Sequence, residues 1–360
     1  MVGDGGPPDA DVASCRKLFS DFSRQTAQGT PLYSRIAEGV AANPELAGLL
    51  LIAPVAQRLP VLLLASVHSL VLEEPDSELA AFYPNIAGST VDAGDPSPAF
   101  ERFCAGHLDQ LSHLLATRQT QTNEVGRTAL FLPCFGRLTD ESGPISHVDV
   151  GSSAGLNLLI PHYDFVYEPG GELRTGASVT ITCGTRGSVP VPTRRPPIAT
   201  AVGIDPAPID VTDPDQRRWL EACVWPDQVE RFDRLTGAIA LACEVGVDVV
   251  RGDAVTDVAA IIEQVADAGH PVITTSWVMN YLSADARVAF VSELDRVGAT
   301  RDLSMVYAES PALCPELPGI PPATGPDQPT AVVIVRWRKG RRVASCVANA
   351  HPHGTWMRWF

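Results

Sequence analysis

The sequence has no C-x-x-C pair, no G-x-G-x-x-G fingerprint and no internal repeat, and its longest apolar run is "LPVLLLASVHSLVL", residues 59–72. Each absence excludes something. Eight cysteines (Cys15, Cys104, Cys134, Cys183, Cys223, Cys243, Cys314, Cys346) fall at scattered spacings, which argues against zinc and for thiols buried in a reducing cytoplasm. A run of 14 residues with His68 inside it is too short to span a bilayer and suits a buried helix. Basic residues are scarce: 27 Lys+Arg against 42 Asp+Glu leave a net charge of -15, which disfavours nucleic acid or an anionic membrane surface as partner. The opening "MVGDGGPPDADV" has no basic-then-apolar leader, so residues 1–8 are expected to be a flexible tail and the protein to be cytoplasmic.

What is present divides near residue 140. From residue 9 to 140 the strong signals are helical, as in "FERFCAGHLDQLSHLLA", where Phe100, Phe103, Cys104, Leu108, Leu111, Leu114 and Leu115 share one helix face. Thr30-Pro31 and Asn43-Pro44-Glu45 read as helix starts. A helical cap domain over 9–140 is the expectation. Over 141–360, five short apolar runs ("ISHVDV", "ATAVGID", "VDVVRGDA", "PVITTSWVM", "LSMVYAES") alternate with helix-length segments, the pattern of a parallel sheet with helical crossovers. Residues 213–245, opened by Asp213-Pro214, read as the longest crossover. Residues 161–198 read as a β-rich insertion, and 331–360 as a C-terminal hairpin turning at Lys339-Gly340.

The chemistry concentrates at "HVDVGSSAGLNLL", residues 147–159. Asp149, Gly151, Ser152, Ser153 and Gly155 form a glycine-rich turn where a first parallel strand meets a helix, a place where backbone approaches a ligand and free N–H groups await it. Asp205 closes "TAVGID", where a carboxylate can accept both hydroxyls of a ribose. Asp253, followed by Ala254, closes "DVVRGDA", where a carboxylate can take an exocyclic adenine amine.

The order D-V-G-S-S-A-G, then G-I-D, then R-G-D-A, then "SWVMNYLS" resembles the S-adenosylmethionine-dependent class I (Rossmann-like) methyltransferases. More narrowly, "LATRQTQTNEVGR", "DVGSSAGLNLL", "DVTDPDQRRWLEACVWP" and "AHPHGTWMRW" resemble one uncharacterised bacterial family of about this length. The broader resemblance implies a Rossmann-like α/β fold with a mostly parallel seven-stranded sheet, one strand reversed, and S-adenosyl-L-methionine across the strand ends. It implies methyl transfer to an oxygen or nitrogen of a small molecule, without metal. Asp149, Gly151, Ser152, Ser153 and Gly155 would hold the methionine side, Asp205 the ribose, and Asp253 with Ala254 the adenine, beside Ser276. Trp277, Asn280 and Tyr281 would contact substrate, as would Asn123 and Arg127 at the edge of the helical cap. If the acceptor is a hydroxyl, Glu124, Glu309, His351 and His353 are candidate bases.

Two other readings stand beside this one. Residues 151–155 also spell G-x-S-x-G, the elbow of α/β-hydrolases, with Ser153 as nucleophile and His351 or His353 as base. A methyltransferase-like module that binds cofactor without turnover is the third.

Overall fold

The computed structural model describes residues 9–325 and 328–360. The tail expected at residues 1–8 lies outside the described residues. Two compact units form: one holds the described residues up to Thr122 together with Thr212–Thr236, the other Asn123–Val211 and Gly237–Phe360.

The first unit is helical. Helices Pro31–Ala42, Pro44–Gly48, Pro60–Glu73 and Pro214–Ala222 each open on proline, whose fixed φ and missing N–H suit a first turn. Asn43 caps the second of them by accepting from the backbone of Glu45 and Leu46, and Asp213 caps the last through Asp215 and Gln216. The long apolar run becomes helix Pro60–Glu73, buried nearly all round. His68 lies inside it without charge: burial drops its pKa to about 4, Nδ1 faces the Ala222 carbonyl at 3.0 Å and Nε2 faces the Asn85 amide at 3.0 Å. Trp219 joins this core and donates from Nε1 to the Gln119 carbonyl at 2.9 Å. That anchor explains why residues 212–236, expected to open a crossover over the sheet, instead complete the helical unit. Among the described residues, no helix is long and apolar enough to cross a membrane.

The second unit is built on one mixed sheet of strands β1 Ile145–Val150, β2 Asp164–Glu168, β3 Gly171–Leu173, β4 Thr180–Thr185, β5 Ile198–Asp205, β6 Val249–Arg251, β7 His270–Ser276, β8 Leu303–Glu309, β9 Thr330–Arg338, β10 Arg341–Ala350 and β11 Trp356–Trp359. Their order is β3-β2-β4-β11-β10-β9-β8-β7-β1-β5-β6, and six of the ten pairings are parallel. The sheet therefore has eleven strands, where the sequence led us to expect seven. The reason is edge protection: β11 covers β10, and the strands of the insertion then pair onto β11 through β4, continuing the sheet.

The five short apolar runs are β1, β5, β6, β7 and β8, adjacent and parallel in the order β6-β5-β1-β7-β8. Strands β1 and β8 are buried along their whole length, as sheet strands covered on both faces are. The chain starts at β1, moves outward through β5 and β6, then returns to the other side of β1 for β7 and β8. In open α/β sheets such a reversal leaves a crevice at the carboxyl ends. Two more segments reach that rim. Strand β10 runs in the same direction as β1, because Lys339 (φ 51°) and Gly340 (φ 74°) close a two-residue reversal after the opposed β9, so its exit at residues 351–355 lies there. Helix Thr128–Ser142 has 15 residues, spans about 22 Å and leads back to the start of β1, which puts residues 123–127 at the far end, on the rim.

Trp337 on β9 shows how tightly this sheet is packed. It is fully buried, donates from Nε1 to Asp295 Oδ1 at 2.7 Å, and lies so close to Gly298 that a Cβ there would collide with its ring. Trp337→Ala is expected to cost ~3–5 kcal/mol in urea unfolding, and a loss below ~1 kcal/mol would contradict this packing.

Candidate functional site

The exit of β1 is a turn of left-handed residues: Gly151 at φ 72°, Ser153 at φ 54° and Gly155 at φ 73°. Gly151 is required twice over, since a Cβ there would also run into the Val278 methyls. Ser153 holds the same left-handed conformation with a Cβ, at a cost of about 1–2 kcal/mol.

Just before the turn, Asp149 is 1% exposed. Its Oδ1 accepts from Thr274 Oγ1 at 2.6 Å, and Thr274 Oγ1 lies 2.7 Å from His147 Nε2. Because the single threonine proton is given to Asp149, the imidazole donates through Nε2. Burial drops the His147 pKa to about 3, so the ring is neutral. For Asp149, burial pushes the pKa up to about 6, helped by the charge of Asp205 and opposed by Thr274 and by the approaching side chains of Ser152 and Asn157. Even so, Asp149 Oδ2, Ser152 Oγ and Asn157 Oδ1 are buried and have no partner in hydrogen-bond geometry. The three atoms gather around one turn, near enough for Ser152 and Asn157 to lower the Asp149 pKa but outside hydrogen-bond geometry.

Asp205 joins two strand exits. Its Oδ2 accepts from the Ser153 N–H at 2.8 Å and its Oδ1 from the Ala207 N–H at 2.8 Å. Each oxygen keeps a second lone pair for a ligand donor. Asp253 is turned to its own loop: it is exposed, and its Oδ1 accepts from the backbone of Val255 and Thr256 at 2.8 and 3.0 Å. Ala254 beside it is half-buried. The structure thus brings Asp149 and Asp205 together, while Asp253 acts as a cap.

A second cluster gathers on the other side of β1. Asn123 is buried and donates from Nδ2 to the Ser152 carbonyl at 2.8 Å, tying residues 123–127 to the glycine turn; its Oδ1 is without a partner. Arg127 is buried and bridges two rim segments, donating from Nη1 to the Ser276 carbonyl at 3.0 Å and from Nε to the Pro352 carbonyl at 2.7 Å. Glu124 caps the short helix Val125–Arg127, accepting from Gly126 N–H at 3.0 Å. Its Oε2 lies 3.4 Å from His353 Nδ1. At the end of β7, Ser276 is buried, Trp277 turns left-handed (φ 56°) and donates from Nε1 to Thr330 Oγ1 at 3.0 Å, and Asn280 keeps a buried Oδ1 without a partner. Tyr281 is 79% exposed and stands apart from this cluster's bonds.

Under that turn lies Glu309, the last residue of β8 and fully buried. One oxygen, Oε1, accepts from Thr275 Oγ1 (3.2 Å), Val278 N–H (3.0 Å) and Met279 N–H (3.3 Å); Oε2 has no partner. Burial raises its pKa to about 7 against the backbone donors and the positive charge of Arg127. The group is held so that it exchanges its proton near neutrality. His147, Asn157 and Thr274 escaped sequence reasoning, since inside "ISHVDV", "LNLLIP" and "VITTS" they read as ordinary core or cap positions.

With this geometry in view, one comparison is informative: a model for the bacterial family DUF2332, described as an uncharacterized protein conserved in bacteria, matches residues 16–359. The chain belongs to that family. No curated protein matches it. The DUF2332 match spans residues of both units, the two strand-end clusters among them.

A pH test isolates Glu309. An unfolded glutamate loses its proton near ~4.3, whereas the folded group keeps it to about 7. Between those values the native state binds the extra proton, so this residue's contribution to stability is present at low pH and is lost as pH rises through 7. From pH 5 to pH 8 the wild type should lose roughly 2–3 kcal/mol more stability than Glu309→Gln in urea titrations. Identical slopes for the two proteins would refute the assignment.

Proposed function

We propose that the second unit is a Rossmann-like methyltransferase domain that binds S-adenosylmethionine and methylates an oxygen or nitrogen of a small molecule. The observation that carries this reading is the β1 turn: left-handed Gly151, Ser153 and Gly155 beside three buried acceptor atoms without partners, at the point where the strand order reverses. The seven strands from β6 to β10 include one reversed member, β9, which agrees with the sheet that the sequence resemblance implies.

The residues present fit the cofactor. Asp149 Oδ2, Ser152 Oγ and Asn157 Oδ1 offer acceptors for the ammonium end of a methionine, and the spare lone pairs of Asp205 suit ribose hydroxyls. Asp253 already caps its loop, so the adenine would rest on Ala254 and the strand-end backbone more than on that carboxylate. The cofactor supplies an activated methyl group on a sulfonium. The protein's share is to hold and align it, for which up to ~7–11 kcal/mol is available from orientation. His147 and Thr274 keep Asp149 turned toward its ligand; Arg127 holds the rim segments in register.

One observation favours the hydrolase alternative: Ser153, in G-x-S-x-G, is the strained left-handed residue, as a nucleophilic serine on an elbow is. Ser153 is nonetheless buried, and the carboxylate nearest to it, Asp205, engages its backbone N–H. The two readings separate in a single pair of measurements. Calorimetry with S-adenosylhomocysteine should give binding that Asp205→Asn weakens by ~tenfold or more, a change of about 1.4 kcal/mol. A fluorophosphonate probe should leave Ser153 unlabelled. No heat at millimolar ligand, with labelling that Ser153→Ala abolishes, reverses the conclusion.

A further inference from the structure

We infer that His353 is the proton acceptor for the methyl-accepting group, with buried Glu124 as the positioning residue behind it and His351 as a hydrogen-bond donor beside it. The identity of the substrate rests on the proposed function; the arrangement of the three side chains does not.

The loop that carries both histidines is fixed from several directions. Arg127 holds the Pro352 carbonyl, Gly354 N–H donates to the His351 carbonyl at 2.9 Å, and His351 N–H donates to the Trp356 carbonyl at 2.9 Å. Gly354 (φ 72°) is pressed so closely on Gly126 that a Cβ would strike the Gly126 carbonyl. Residues 124–127 and 351–354 therefore behave as one piece. Within it, the Glu124 side chain is 1% exposed with Oε1 committed to Gly126, and Oε2 faces His353 Nδ1 at 3.4 Å, while the His353 side chain keeps 37% of its surface. The two atoms stand just outside hydrogen-bond geometry, and because a carboxylate only accepts, the tautomer this neighbour favours carries the proton on Nδ1 and leaves the lone pair on Nε2. A buried acid behind an imidazole, with the far nitrogen free, is the arrangement by which hydrolytic triads hold a base in the right tautomer.

His351 completes the set. Its Nδ1 accepts the His353 backbone N–H at 3.1 Å, so its own proton sits on Nε2 and makes it a donor. Burial and the neighbouring His353 hold its pKa below the usual histidine value, against the pull of Glu124. One lone pair and one N–H side by side match a hydroxyl or a neutral amine, each of which both donates and accepts. In the step itself the acceptor's O–H or N–H bond breaks with its electron pair staying on oxygen or nitrogen. The proton bonds to the Nε2 lone pair of His353, and the Glu124 carboxylate offsets the imidazolium charge. The charged and titratable groups around His353 are Glu124, His351 and Arg127. Glu309 is the competing base, but it is fully buried and one oxygen already fastens the turn after β7.

The test uses the full chain and needs no known substrate. In protein labelled with 15N-histidine, long-range 1H–15N spectra at pH 8 should show neutral His353 in the Nδ1–H tautomer and His351 in the Nε2–H tautomer. Glu124→Gln should mix the His353 tautomers. Diethyl pyrocarbonate, which attacks a free imidazole lone pair, should modify His353 faster than the buried His68 and His147 by peptide mass spectrometry, and Glu124→Gln should slow the His353 reaction on the order of tenfold. Absence of S-adenosylhomocysteine binding by the wild type would sink the proposed function and leave this test standing. A wild-type His353 in the Nε2–H tautomer, or a modification rate indifferent to Glu124, overturns the inference.

Discussion

Parallel strands have to be joined by crossovers that carry the chain back over the sheet, and that geometric constraint decides where the polar residues of the second unit end up. Strands β1, β5, β6, β7 and β8 all point one way, so every carboxyl end opens on the same rim. Strands β1 and β8 are buried along their whole length, and the carboxylates of the set, Asp149, Asp205 and Glu309, stand at or next to strand ends. The hairpin of β9 and β10 and the helix Thr128–Ser142 then deliver their own ends to this rim by direction alone. Asp149, Asp205, Glu309, His351 and Arg127 are neighbours for that reason, although they are scattered over more than half of the sequence.

Bringing these groups together forces them to share hydrogen bonds. Asp205 holds the β1 turn through Ser153, Glu309 holds the β7 turn through Val278 and Met279, and Arg127 holds the β10 exit through Pro352. In each case one part of the charged group is committed to backbone. For Asp149 and Glu309 the other carboxylate oxygen is buried without a partner. A core built for stability alone would satisfy both, since an unpaired buried acceptor costs ~1–3 kcal/mol. At the rim that cost is borne by Asp149 and Glu309, the two carboxyl groups whose pKa burial raises most toward neutrality.

Much of this was legible in the sequence, and the reasons are local. The apolar runs that became β1, β5, β6, β7 and β8 declare themselves by length and by the acidic or polar residue that ends most of them, and Asn43-Pro44 and Asp213-Pro214 start helices because capping acts over three residues. The strand count was not legible: whether the insertion's strands β2, β3 and β4 fold on themselves or extend the main sheet depends on β11, which lies some hundred and seventy residues later. The role of Asp253 was ambiguous for the opposite reason, as a loop cap and a ligand carboxylate look identical in a short motif; the bonds to Val255 and Thr256 show it capping its loop. The relay from His147 through Thr274 to Asp149 links neighbouring strands, and no spacing in the chain announces it.

Strand β11 also bears on how the protein is made. It pairs with β10 on one side and β4 on the other, and His351 N–H is fastened to the Trp356 carbonyl at its start. Until residues 356–359 are synthesised, the pairings that join β4 to β10 cannot form, so the parts of the sheet on either side of β11 stay unjoined and the histidine loop lacks its bond to Trp356.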